Sequence, residues 1–458
     1  MPQLLMDLTP LKENVDYRRL WTGSVFSTMG YQITAIAIAL EIFALTGSPA
    51  AVGLTGLVAV GPLIFGGLYG GVIADTHDRR KVALCATIGM WLVTVAVALH
   101  AWLHIENVVV LYVLVAIESL LQPINQSARG AIIPKLVRRR MLPAANALNM
   151  SVGTLGMSVG PMLGGALVAA VGYPWTYSIN VFALMVSLWA LFKLPPMLPE
   201  KKESAPQGSG ISSVVEGLKF VRQVPVVGMT FVVDLIGMIL AQAKPIIPAL
   251  VVTAFGGGEA GSGILLSAGA IGAFIGVAFS GWLKNVQRQG RFLTLSYVGW
   301  GGGFFLFGVV AFVLDGRNPA VGVIENLWAI LLGGVGLAFA GWCDALGSVF
   351  RSTIMQTAAP DHMLGRMNGM FIVTVTGGPN LGTALIGGVA QLVGSAMAAM
   401  IGGVGCIVAI AGFTVAVPAL WKYVLEPVPD TNLLPELNHN PDNPVTASIK
   451  IVPPASNK

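Results

Sequence analysis

The chain is divided into long apolar stretches without fixed charge, joined by short loops that are alternately basic and poor in charge. Ala50–Ala74 and Val82–Leu103 contain no Asp, Glu, Lys or Arg, and the loop between them carries Arg79, Arg80 and Lys81. A helix that crosses a membrane needs about 20 mostly apolar residues. Twelve such segments can be marked. The first half gives Leu20–Leu45, Ala50–Ala74, Val82–Leu103, Val108–Ile133, Pro143–Val171 and Pro174–Leu194. The second gives Val226–Thr253, Gly261–Leu283, Phe292–Leu314, Leu327–Phe350, Met367–Val393 and Ala396–Trp421. Only 10% of the residues are charged, against about 25% in a typical soluble protein. The chain cannot cover itself with a solvated surface, so the expected fold class is an all-α polytopic membrane protein with 12 transmembrane helices.

The charges also predict orientation. Of the 26 Lys and Arg residues, all but Lys244, inside a span, and Arg317, in a loop on the other side, fall near one set of span ends. Basic loops stay in the cytoplasm, so both termini are expected there, in a multi-pass bacterial inner-membrane protein. The net charge of +5 then reflects topology and attraction to anionic lipid, not a nucleic-acid partner. Cys85, Cys343 and Cys406 lie in apolar segments at unrelated spacing and suggest neither disulfides nor a metal site. Met1–Arg19 lacks a signal-peptide core, so the first span is expected to direct insertion.

The expected organisation is a cytoplasmic N-terminal segment (1–19), a six-helix bundle (20–194), a cytoplasmic linker (195–225), a second six-helix bundle (226–421) and a disordered cytoplasmic tail (422–458). Within the linker, Ile211–Gln223 has the pattern of a short helix at the membrane surface. The bundles repeat. A shift of 222 residues pairs Arg129 with Arg351, Ile132 with Ile354, Met141-Leu142 with Met363-Leu364 and Asn146 with Asn368. It also pairs Thr154 with Thr376, Gly156 with Gly378, Gly160 with Gly382, Leu163 with Leu385 and Gly165 with Gly387.

Charges inside spans are expensive, about 2.5–3.5 kcal/mol on insertion scales, and are functional by default. In the fourth span Glu118, Gln122, Asn125 and Arg129 share one helix face, which is expected to line a cavity. The shift places Gln122 on Asp344 and Arg129 on Arg351, so Asp344, Gly347 and Arg351 form the equivalent face of the tenth span. Glu41 lies in the first span, and Asp234 and Lys244 in the seventh. A carboxyl group in a low-dielectric cavity can exchange a proton near neutral pH. Glu118 is the first choice as proton carrier, followed by Asp234 and Glu41. Gln122, Asn125, Arg129, Lys244, Asp344 and Arg351 are the candidates for lining the substrate cavity. The fixed alternative is a carboxylate held in a pair without titrating. The chain has no Gly-Lys-Ser/Thr phosphate loop and no protease-type His pair, so no enzyme activity, cofactor or metal is expected.

The loop Gly71–Lys81 resembles the signature between the second and third spans of the major facilitator superfamily. Gly71, Asp75, Arg79 and Arg80 match its pattern, and Asp78 stands where that superfamily usually has glycine. The resemblance implies a gating loop that locks the inner ends of two pseudo-symmetric halves, with spans one, four, seven and ten around a central pathway. The repeat's counterpart, Gly281–Arg291, has Asn285 where Asp75 would align, so only the first copy carries the acidic latch. Gly160-Pro161-Met-Leu-Gly164-Gly165 resembles the glycine–proline element of exporting, antiporter branches. Plain glycine-mediated packing is the alternative. Arg18-Arg19-Leu-Trp21, Ala131–Val137, Leu142–Leu148 and Pro360–Gly369 together resemble the bacterial branch of enterobactin, macrolide and multidrug exporters.

That resemblance implies a monomeric proton antiporter exporting amphipathic organic molecules, with small-molecule substrate, protons and lipid as partners. The cargo is left open between a siderophore, for which Arg129, Lys244 and Arg351 supply positive charge, and a cationic drug, which Glu41, Glu118 and Asp234 favour. An uptake symporter and a non-transporting binding or sensing protein are the other readings. The superfamily's usual arginine in the middle of the fourth span is absent, so its arginine-based proton scheme does not carry over.

Overall fold

The computed structural model describes residues 8–197, 224–279, 283, 286–316, 322–358 and 361–424. The expected linker helix, the tail beyond 424, Arg317 and Asn285 lie outside the described residues. Among the described residues, nine helices are long and apolar enough to cross a membrane. The first four spans are Val15–Thr46, Pro49–Thr76, Arg79–Trp102 and Val108–Leu136. The fifth and sixth run as one helix, Leu142–Phe192, broken at Gly172 (φ 77°) just before Pro174. Spans eight to twelve are Gly258–Ala278, Gln289–Leu314, Leu327–Ala358, Asp361–Val393 and Ser395–Ala416.

Local chemistry sets the helix ends. Ser48 and Asn107 accept the N–H groups of Ala51 and Val109 at the starts of the second and fourth spans, satisfying donors that have no partner inside the helix. Gly47 closes the first span with φ 61°, a left-handed turn that glycine adopts without strain. The last span stops at Ala416, ahead of Pro418.

The seventh span departs from expectation. A continuous helix over Val226–Thr253 is predicted, but the helix Pro225–Leu240 ends and resumes only as Ile247–Leu250 and a π-turn at Val251–Phe255. Pro245 and Pro248 remove backbone donors from this stretch. In its place Gln242 donates from Nε2 to Pro379 O (3.3 Å) and accepts the Lys244 N–H on Oε1 (3.4 Å), fixing the break against the eleventh span. Irregular backbone inside a membrane is tolerated where it lines a cavity or packs on protein.

Each half packs its own helices around two apolar cores. In the first half one core gathers Tyr17, Leu20, Val82, Ile132 and Leu191 at the basic end, and another gathers Ile38, Ile42, Val97, Leu111 and Tyr177 at the charge-poor end. The second half repeats this with Val233, Leu293, Phe350 and Ile354 against Leu250, Phe255, Phe307 and Ile330. Large apolar side chains such as Phe65, Leu92, Phe182 and Phe274 point outward, as they must in lipid. Between the halves the main packing joins span two to span eleven and span five to span eight.

Candidate functional site

Glu118 of the fourth span and Lys244 of the broken seventh face one cavity from opposite halves. Tyr31, Thr55, Ser119 and Asn380 add polar groups to its wall, and Ala35, Ile38, Ala59 and Val115 supply the apolar part. Lys244 reaches this wall from within the break in span seven. The cavity therefore offers one carboxylate, one ammonium and several hydroxyl or amide groups on an apolar wall, the mixture that fixes an amphipathic ligand.

Towards the charge-poor end the two halves meet backbone against backbone. A Cβ on Gly53 would lie 3.1 Å from Gly387 Cα and 2.9 Å from Thr383 O, and one on Gly165 would lie 2.8 Å from Gly263 Cα. Ser48 Oγ donates to Gln391 Oε1 (2.7 Å), tying the start of span two to span eleven. The glycine–proline element takes part in these contacts: Gly160 and Gly164 pack on Gln32 and Ile33 of span one, while Pro161 and Gly165 meet Gly263 and Glu259 of span eight. Small residues let helices approach this closely.

At the basic end the loop around Asp78 binds its own half. Asp78 caps the third span by accepting the Arg80 N–H (3.0 Å), and it also accepts the Met197 N–H (3.2 Å). An aspartate in the glycine position therefore has a job: it joins the loop to the end of span six. Arg80 donates to Leu191 O and Phe192 O and lies over the Phe192 ring, and Arg79 donates to Ala131 O (2.9 Å). A Cβ on Gly71 would meet open space. The side chain of Asp75 lies outside the described residues.

The other charged candidates are held inside the separate halves. Asn125 and Arg129 form a buried node with the first, third and sixth spans. Arg129 donates to Asn125 Oδ1 (2.6 Å), Ser24 Oγ (3.1 Å) and Ser187 Oγ (2.6 Å), and Asn125 Nδ2 donates to Thr87 Oγ1 (2.5 Å). In the second half Arg351 forms an ion pair with Asp234, and Tyr297 joins them, donating to Asp234 Oδ1 (2.5 Å) and accepting from Arg351 (3.2 Å). Asp344 is half-buried on the same span as Arg351, and Gln122 is half-buried on the fourth. Glu41 sits near the charge-poor end of the first half, accepting from Tyr177 OH (2.6 Å) and 3.4 Å from His100 Nδ1.

Of the residues singled out from sequence, Glu118 and Lys244 share the cavity, Asp234 and Arg351 share the second node, and Asn125 and Arg129 share the first. Tyr297, Ser24, Thr87, Ser187, His100 and Tyr177 are partners that sequence reading missed. A signal for three of them was present. The offset of the two basic loops, Gly71 onto Gly281, also places Ser24 on Asp234 and Thr87 on Tyr297.

Residues 6–449 match the protein family described as transmembrane secretion effector. The chain is 30% identical over 407 residues to the enterobactin exporter EntS of Shigella boydii and 28% identical over 407 residues to that of Citrobacter koseri. Each alignment covers 88% of this chain and 92% of the relative. Among solved structures, the nucleoside transporter NupG superposes with a TM-score of 0.70 at 12% identity, covering 89% of this chain and 99% of that one. A bacterial homologue of the iron transporter ferroportin gives 0.61 at 15% identity, covering 89% and 99%. These two likenesses show the fold alone.

Proposed function

Because this chain belongs to the transmembrane secretion effector family, in the enterobactin-exporter branch of the major facilitator superfamily, we propose that it exports a siderophore-like amphipathic molecule by proton antiport. The membrane is the bacterial inner membrane, the basic loops and both termini face the cytoplasm, and the working unit is a monomer. The observation that carries this reading is the cavity that Glu118 and Lys244 share from opposite halves. A ligand bound there touches both halves at once, so rocking one half against the other moves its exposure from one side to the other. In this orientation the glycine contacts lie on the periplasmic side, and the cavity belongs to a state that takes cargo from the cytoplasm.

The neutral form of a catechol siderophore presents hydroxyl and amide groups around an aromatic body. Glu118 accepts from such donors, Lys244 donates to carbonyls, and Ile38 and Val115 meet the rings. The relatives named enterobactin exporters support that cargo class over a cationic drug.

Reconstituted protein tests the reading with enterobactin as probe. Enterobactin should move from the basic-end side to the charge-poor side, faster when the charge-poor side is made more acidic. Movement in the same direction as protons marks an uptake symporter, and absence of movement marks a non-transporting binder; either result overturns the proposal. Glu118→Gln then separates two roles. Weakened enterobactin binding marks a cargo contact, whereas retained binding with loss of gradient-driven flux marks a proton carrier.

A further inference from the structure

Beyond the cavity, the second half holds a charged cluster whose charges do not balance. Asp234 and Arg351 pair directly, and the Tyr297 hydroxyl is oriented by both, accepting from Arg351 and donating to Asp234 Oδ1. Asp344 and Arg351 lie about two turns apart on one face of the tenth span. Gly347 between them turns that face to the Tyr297 ring, with its Cβ position 2.9 Å from Cε2. Asp344 stands about one helical turn before Gly347, on the face that meets Tyr297. Among the described residues, the cluster sets two carboxylates against one guanidinium, inside the membrane. Leaving a net charge beside the fully buried Asp234 is costly, and one bound cation of unit charge removes it.

A second observation indicates where that cation is needed. Asp234 is fully buried, and its Oδ2 accepts no hydrogen bond among the described residues. A metal ion needs several oxygen ligands, and no group of three His, Cys, Asp or Glu side chains that could hold one occurs among the described residues. A proton needs only one oxygen. Asp344, half-buried, is the member of the pair that water or cargo can reach. The thiol of Cys343 lies near Asp344, and that of Cys406 reaches only the Tyr297 carbonyl (3.9 Å). Among the described residues, these are the other titratable side chains near the cluster.

We propose that Asp234 and Asp344 share one exchangeable proton, with Arg351 as fixed counter-charge and Tyr297 as the positioning residue that holds Asp234. The inference rests on the reading of this chain as a proton antiporter and names a locus for the proton outside the Glu118–Lys244 cavity. The proton is taken up without breaking a covalent bond, and its release restores the second carboxylate.

Infrared difference spectra of the full-length protein between acid and alkaline buffer test the site without any transport. The wild type should show the C=O band of a protonated buried carboxylic acid, and Asp344→Asn and Asp234→Asn should each reduce it. An undiminished band in both variants overturns the proposal. Asp344→Asn is the safer variant for folding because it leaves the Asp234–Arg351 pair intact. In liposomes, stimulation of enterobactin flux by a pH gradient should be lost in Asp344→Asn; stimulation equal to wild type overturns the coupling role. Wild-type flux that ignores the gradient would instead sink the antiport reading, while the spectra still decide whether the pair holds a proton.

Discussion

The two halves place the same guanidinium at the same station and surround it differently. Arg129 and Arg351 correspond under one offset, and Ser24 with Asp234, and Thr87 with Tyr297, correspond under the other. In the first half the guanidinium binds neutral oxygens, from Ser24, Asn125 and Ser187. In the second it binds a carboxylate and a phenol. Even the space is exchanged: Asn125 corresponds to Gly347, whose missing side chain makes room for the Tyr297 ring. A duplicated scaffold has thus kept its cation in both copies and placed acidic groups in one. The first node ties spans one, three, four and six together with no group that changes charge at ordinary pH. The second contains carboxylates, groups able to take up a proton.

Single substitutions should break this comparison most. Arg351→Met strands the buried Asp234 and should cost about 3–5 kcal/mol, read as a large fall in thermal unfolding temperature in detergent. Arg129→Met strands no carboxylate, so its loss should be nearer 1.5–3 kcal/mol, the worth of hydrogen bonds to a charged group. Equal losses would refute the claim that the nodes differ. Gly347→Ala presses a methyl group into the Tyr297 ring and should cost about 1–3 kcal/mol, while Gly71→Ala, which meets open space, should not show such overpacking. Tyr297→Phe removes both hydrogen bonds of the hydroxyl, to Asp234 and from Arg351, but leaves the ion pair in place, so it should cost about 1.5 kcal/mol, the low end for bonds to charged groups.

A further test concerns the charge-poor end. Gly165→Val drives a side chain into Glu259 and Gly263 of span eight, so it should shift the population towards a form open at the charge-poor end. Labelling of a cysteine placed in the cavity by a membrane-impermeant reagent from that side should rise. Unchanged labelling would mean that the glycine contacts are not the seal.

Much of the fold is legible in the sequence because lipid permits few solutions: every one of the twelve apolar segments finds helix, and the repeat predicts paired halves. The break in span seven was marked only by a short interruption of an apolar segment, Gln242, Lys244 and Pro245 with Pro248 just beyond, which length and overall hydropathy pass over. The site was legible as a list of residues but not as an arrangement. Glu118 and Arg129 share a helix stripe in the sequence, yet Glu118 meets the cavity and Arg129 meets spans one, three and six. Pro123 lies between them inside the helix, and a stripe's neighbours change with depth when helices cross at an angle. Lys244 reads as an isolated cation until the fold sets it opposite Glu118. Tyr297 carried no signal of its own, because a lone aromatic in an apolar span is ordinary; only the loop offset singles it out.

The central claim is that the proton responds to the second half's node and not to the first's. The most direct measurement is the ratio of pH-gradient-driven to equal-pH exchange flux of enterobactin in liposomes, compared between Asp234→Asn and Arg129→Gln. The account predicts that the ratio collapses to that of simple exchange in Asp234→Asn and stays near the wild-type value in Arg129→Gln. A collapse in Arg129→Gln with a preserved ratio in Asp234→Asn would contradict it.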